Sequence, residues 1–96
     1  VTTKLTATQA ATKKAAQKVR LAAFNAAKSA YSSALATAKK NRDAALSAAR
    51  ASKNSTAPAL ADYVKAVDSA IATRDAANKA AEATYAATLK AAGINP

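Results

Sequence analysis

The feature that most constrains this chain is an eleven-residue repeat in its first half. Eleven residues complete three helical turns at about 3.67 residues per turn, so residues eleven apart lie nearly in line along a straight α-helix. The rows combine large apolar and basic side chains: Phe24/Leu35/Leu46, Lys28/Lys39/Arg50 and Arg20/Tyr31/Arg42/Lys53. The repeat therefore predicts one long helix on which each kind of side chain keeps its own face.

The composition predicts an all-α protein with a thin core. Alanine, the residue with the highest helix propensity, supplies 33 of the 96 residues, while glycine occurs once and proline twice. The larger apolar residues (Leu, Val, Tyr, Ile and Phe) number 16. A small domain with so few large side chains buries little surface on its own. We therefore expect it to associate, by default with further copies of itself.

Local signals predict two long helices in a single hairpin domain spanning residues 1–96. Thr6-Ala7-Thr8-Gln9 fits a capping box at the start of the first helix. Pro58 suits the first turn of the second helix, and Gly93 suits a left-handed cap at its end. The predicted segments are helix 1 at 7–53, a turn at 54–57, helix 2 at 58–92 and a tail at 93–96.

Two arrangements of this antiparallel hairpin remain open at the level of sequence. In one, alanine-rich faces of the two helices pack together at short distance. In the other, the large residues form the core, and the basic residues among them must reach the edge or meet an acid. Because neither face resembles ordinary solvent-exposed surface, we expect both to be covered in a larger helical assembly. The large side chains expected to anchor these contacts are Phe24, Tyr31, Leu35, Leu46, Ile71, Tyr85 and Leu89.

Positive charge is concentrated in the first half of the chain. Residues 1–53 carry eleven Lys and Arg against Asp43 alone, whereas residues 54–96 carry four of each sign. This asymmetry predicts an anionic partner, either nucleic acid or an acidic protein surface. The residues predicted to contact it are Lys13, Lys14, Lys18, Arg20, Lys28, Lys39, Lys40, Arg42, Arg50 and Lys53.

The residue types present argue against an enzyme. The chain has no His or Cys, and five carboxylates on a two-helix hairpin have no deep cleft in which to converge. The sequence therefore predicts no catalytic residue, metal, cofactor or small-molecule substrate. No apolar run approaches the length of a membrane span, so the chain is expected to be soluble, with a virion or the cytoplasm as the favoured location.

Part of the second helix presents Thr and Ala on one side. Thr73 and Thr84 are eleven residues apart, with Ala77 and Thr88 on the same face. This segment, about a fifth of the chain, resembles the alanine-rich helical antifreeze proteins, in which Thr recurs at that spacing on a flat face. The resemblance implies ice binding by Thr73, Ala77, Thr84 and Thr88. Helix 1 lacks the Thr ladder.

The repeat also resembles the eleven-residue amphipathic repeats of lipid-binding and desiccation-protection proteins, in period and composition only. Lys and Arg interrupt the apolar stripe that lipid binding needs, so a membrane partner is not expected. The function that the whole length favours is structural: a self-associating hairpin that coats, cements or scaffolds an array such as a virion or filament. Sequence-independent nucleic-acid binding is the first alternative, and ice binding the second.

Overall fold

The computed structural model describes residues 4–94, and these contain two α-helices, α1 (Ala7–Ala51) and α2 (Ala57–Ala91). The predicted all-α hairpin of two long, mutually packed helices is confirmed. The contacts fall into two compact units. The turn unit is Lys28–Asp75, and among the described residues the terminal unit combines 4–27 with 76–94. Each unit pairs a segment of α1 with an antiparallel segment of α2.

The predicted capping box begins α1. The Thr6 amide donates to Gln9 Oε1 at 3.1 Å, and the Gln9 amide donates to Thr6 Oγ1 at 3.1 Å. The same glutamine also reaches the other helix, because its Nε2 donates to the Ala92 carbonyl oxygen at 3.1 Å. Gln9 therefore satisfies backbone groups at the start of α1 and at the end of α2, which otherwise have no partner within their helices.

The end of α1 lies at Ala51, two residues earlier than the sequence predicted. Lys53 adopts a left-handed backbone conformation with φ of 57°. This conformation lets the Asn54 amide donate to the Ala49 carbonyl at 2.8 Å and the Lys53 amide to the Arg50 carbonyl at 3.2 Å. The pattern is a Schellman cap, but with lysine at the position that usually holds glycine.

The start of α2 lies at Ala57, one residue before the predicted Pro58. Ser55 Oγ accepts a hydrogen bond from the Ala57 amide at 3.2 Å, and the Thr56 carbonyl accepts one from the Leu60 amide at 3.2 Å. The serine hydroxyl thus accepts from an amide of the first turn. Pro58 has no amide N–H, and it lies in the same turn, where an amide would have no acceptor within the helix.

The end of α2 is closed by Gly93, as predicted, with the helix ending at Ala91. Gly93 has φ of 77°, and the Ile94 amide donates to the Leu89 carbonyl at 2.9 Å. Ile94, which belongs to the predicted tail, is buried, as is Leu89. An apolar pair at these two positions commonly accompanies this cap. Asn95 and Pro96, the rest of the predicted tail, lie outside the described residues.

The helices pack through a mixture of the two arrangements that the sequence left open. Small residues that are almost fully buried recur every eleven residues on each helix: Ala16, Ala27 and Ala38 on α1, and Ala59, Ala70 and Ala81 on α2. A methyl group so near its own backbone is buried only where the other helix approaches closely. Leu89, one of the predicted anchors, is fully buried. The other predicted anchors are half-buried: Phe24, Tyr31, Leu35, Leu46, Ile71 and Tyr85.

We predict that Gln9→Ala lowers the free energy of unfolding by about 1–2 kcal/mol, because it removes a capping partner from both helices. Urea denaturation followed by circular dichroism measures this change. Gln9→Glu keeps the acceptor for the Thr6 amide but loses the donor to Ala92 and puts a carboxylate beside the last carbonyls of α2, where negative charge is unfavourable. A Gln9→Ala protein as stable as wild type would contradict the prediction.

Lys53→Gly should raise the free energy of unfolding by about 1 kcal/mol, since glycine adopts the left-handed conformation without the steric penalty that lysine carries. The matched control is Lys40→Gly, which changes an exposed lysine inside α1 and should lower stability by about 1 kcal/mol. Chemical denaturation of both variants checks the prediction. Changes of the same sign in the two variants would contradict it.

Candidate functional site

Arginine and tyrosine side chains form three stacked pairs between the helices. Each guanidinium carbon lies over a tyrosine ring, at 3.9 Å from the ring centroid in Arg20/Tyr85 and 4.5 Å in both Arg42/Tyr63 and Arg74/Tyr31. Such cation–π contacts contribute roughly 0.5–2 kcal/mol each, depending on how far the charge is removed from water. Every tyrosine of the chain is used in this way.

A carboxylate completes each stacked pair. Arg20 Nη1 lies 3.5 Å from Glu82 Oε2, Arg42 Nε lies 3.1 Å from Asp43 Oδ1, and Arg74 Nη2 lies 3.2 Å from Asp75 Oδ1. The three arginine side chains stay about one third exposed, so each charge keeps part of its hydration. The ring, the acid and the remaining water together allow a charge to lie at the helix interface.

The stacked pairs also fix which residues of the two helices can face each other. Positions 20, 31 and 42 of α1 hold Arg, Tyr and Arg, whereas their partners at 85, 74 and 63 of α2 hold Tyr, Arg and Tyr. A shift of one helix by a single eleven-residue step would place arginine against arginine and tyrosine against tyrosine. The alternation therefore opposes the alternative registers that a repeated sequence would otherwise permit.

The structure divides the ten predicted anion-binding residues into two groups. Arg20 and Arg42 are engaged in the stacked pairs, and Lys13 is half-buried. The others are exposed and form no ion pair with the residues at 4–94: Lys14, Lys18, Lys28, Lys39, Lys40, Arg50 and Lys53. Sequence reasoning found the Arg20/Tyr31/Arg42 row but missed its partner row, Tyr63/Arg74/Tyr85, which has the same eleven-residue spacing in α2.

A groove of about 640 Å³ runs between the helices of the terminal unit. Methyl and hydroxyl groups make up most of its surface. Arg20 is the charged residue in its lining, and that guanidinium is already held by Tyr85 and Glu82. We call this surface the alanine groove, and it is lined by Thr12, Ala15, Ala16, Val19, Arg20, Ala23, Ala77, Ala80, Ala81, Thr84, Tyr85 and Thr88.

A smaller hollow of about 290 Å³ lies between the helices of the turn unit. Alanines line it as well, but Asp62, Asn41 and Arg42 give it a polar and charged wall. It therefore differs in chemistry from the alanine groove, which has no acid in its lining.

The residues implied by the antifreeze resemblance lie mostly in the alanine groove. Ala77, Thr84 and Thr88 line it, while Thr73 belongs to the turn unit. The Thr88 hydroxyl donates to the Thr84 carbonyl oxygen at 2.9 Å, so its donor is turned toward the helix backbone. These residues share a concave surface with α1, which differs from the flat face that the resemblance implies.

One polar group interrupts the apolar packing of α2. Asn78 lies eleven residues from both Val67 and Leu89, and its Oδ1 is buried without a hydrogen-bond partner among residues 4–94. A buried unpaired acceptor lowers stability, by about 1–3 kcal/mol in typical cases.

The described chain contains no group of three or more His, Cys, Asp or Glu side chains that could hold a metal ion. Between Lys4 and Ile94, neither helix has an apolar stretch long enough to cross a membrane. No protein-family model, curated protein or solved structure matches this chain. The alanine groove and the exposed cations are therefore the features from which a function can be inferred.

Exchanging the members of one stacked pair tests its contribution. Tyr31→Arg should lower the free energy of unfolding by more than about 1 kcal/mol, because it loses a cation–π contact and places two guanidinium groups together. The double variant Tyr31→Arg with Arg74→Tyr restores an arginine over a tyrosine and should recover most of that loss. Thermal and urea denaturation measure all three proteins. A double variant no more stable than Tyr31→Arg would contradict the prediction.

Proposed function

We propose that this protein is a non-enzymatic assembly protein whose hairpins associate with one another through the alanine groove, and that the resulting array coats, cements or scaffolds a larger structure. The observation that carries the proposal is the groove itself. It is a long apolar surface between two helices, bounded by Val19, which is 61% exposed. Apolar surface of this kind on a small helical protein is typical of an interaction site.

The size of the side chains in the groove favours a helix as the occupant. Alanine and threonine allow a helix backbone to approach closely, and the channel between two packed helices has the shape that a third helix fills. Since the groove walls are themselves helices with small side chains, a second copy offers a matching surface. Two copies facing each other in this way bury the same residues on both sides, as in most symmetric dimers.

The distribution of charge also favours self-association. A chain with a net charge of +10 repels its own copies wherever its cations meet. No lysine lines the alanine groove, so copies can join there without bringing lysine side chains into the contact.

Three of the acids have a structural role within the hairpin, because Asp43, Asp75 and Glu82 pair with arginines. Ice binding is a weaker proposal, because the groove is concave and its Thr88 hydroxyl is turned to the backbone.

Sedimentation of matched variants tests the proposal. The wild-type protein is expected to form dimers or larger species at micromolar concentration. Ala80→Glu introduces a carboxylate into the groove and should give a monomer with an unchanged helical circular dichroism spectrum, because a buried unpaired charge opposes association. Ala83→Glu is the control, since it makes the same change on α2 at an exposed residue outside the groove lining.

Two outcomes would contradict the proposal. One is a wild-type protein that sediments as a fully helical monomer across the whole concentration range. The other is an equal loss of association in Ala80→Glu and Ala83→Glu, because this would show that added negative charge acts wherever it is placed on α2.

A further inference from the structure

Self-association through the alanine groove leaves the cations of the turn unit unexplained. Lys28, Lys39 and Arg50 are exposed on α1 at eleven-residue spacing, and Lys40 adjoins the middle one. None of the four forms an ion pair with a residue between 4 and 94. Lys28, Lys39 and Arg50 form a straight line along one side of the helix, which we call the basic row.

The length of the basic row matches one turn of a nucleic-acid duplex. From Lys28 to Arg50 the helix advances by two eleven-residue steps, or about 33 Å at 1.5 Å per residue. One turn of B-form DNA spans about 34–36 Å. An α1 lying along a duplex therefore places its outer two cations at the same strand, one turn apart. Lys39 lies midway, where its long flexible side chain and that of Lys40 can reach the other strand.

The side chains around the basic row suit a hydrated polyanion. Ser29, Ser32, Ala36 and Ser47 lie among the cations on this side of α1 and are exposed. Small residues let the helix approach a phosphate backbone, and serine hydroxyls can donate to phosphate oxygens. A membrane-bound helix needs a continuous apolar face, which serine interrupts here. Binding of single strands relies on exposed aromatic rings, whereas Tyr31 and Tyr63 of this unit are stacked on arginines.

Asp43 is the acid of α1, and it lies eleven residues after Ser32, on the same side of the helix as the basic row. Its Oδ1 is 3.1 Å from Arg42 Nε, and that arginine lies at the helix interface. Asp43 is thus paired with Arg42, and the exposed cations of this part of α1 outnumber it: Lys28, Lys39, Lys40 and Arg50.

We infer that the basic row binds the backbone of double-stranded DNA, without reading its sequence, with α1 lying along the duplex axis. This goes beyond self-association, because none of its residues lines the alanine groove. Three to four phosphate contacts would give an affinity that falls with salt, at about 0.9 logarithmic units per contact for each tenfold rise in salt.

Fluorescence anisotropy with a labelled 20-base-pair DNA duplex, titrated with the full chain between 50 and 200 mM salt, tests the inference. The triple variant Lys28→Gln, Lys39→Gln, Arg50→Gln should bind at least about tenfold more weakly at 50 mM salt, and its salt slope should be smaller by about 3. The control is Lys65→Gln, Lys79→Gln, Lys90→Gln, which removes three exposed cations from α2 and should weaken binding less than about threefold, with the slope retained.

The two triple variants distinguish binding at the basic row from binding caused by the net positive charge of the whole chain. Equal losses in the two triple variants would overturn the inference, because net charge alone would then explain binding. So would equal affinity for a single strand of the same length, or tighter binding to vesicles containing phosphatidylserine than to the duplex. Absence of duplex binding at 50 mM salt would overturn it directly.

Discussion

The hairpin depends on the close approach of two helix backbones at their buried alanines. Each alanine removes little apolar surface from water, about 0.8 kcal/mol for each methyl-sized group, so these residues contribute space more than energy. Their value lies in bringing the helices near enough for a guanidinium of one helix to reach a ring of the other. The guanidinium carbon of Arg20 lies only 3.9 Å from the ring centroid of Tyr85. The stacked pairs and the grooves between the helices follow from this spacing.

Arginine and lysine are used for different purposes in this chain. Three of its four arginines lie over tyrosines at the helix interface, while its lysines, apart from the half-buried Lys13, are exposed wherever the structure describes them. A guanidinium is planar and weakly hydrated, so it stacks on a ring at modest cost, whereas an ammonium holds its water strongly. The interface thus takes the cation that tolerates partial burial. The lysines remain outside, where they can keep an alanine-rich surface in solution or meet an anion.

Local signals were the predictable part of this structure. The capping box at Thr6 and the glycine cap at Gly93 are short sequence patterns with a well-defined geometry. Together with Pro58 they predicted the ends of both helices to within two residues. The interface between the helices was harder to predict, because the alanine-rich face and the face of large residues each offer a surface for packing. Both faces contribute to one interface, and the stacked arginine and tyrosine pairs lie there as well. Lys53 adopts the left-handed conformation that glycine usually adopts at a helix end. Because lysine rarely occurs there, the sequence did not predict this cap. The proposed contacts of the alanine groove and the basic row are made with other molecules, so they leave no mark on the packing of a single hairpin.

The repeat has a consequence for how such a hairpin can change in size. Each eleven-residue step supplies one buried alanine on each helix and one position for a stacked pair, and it returns every side chain to the same side. Adding or removing one step in both helices would therefore lengthen or shorten the arms by about 16 Å while turning none of their faces. Arm length is thus separable from surface chemistry. A protein built on this pattern can adjust its reach in fixed increments and still present the same surfaces to its partners.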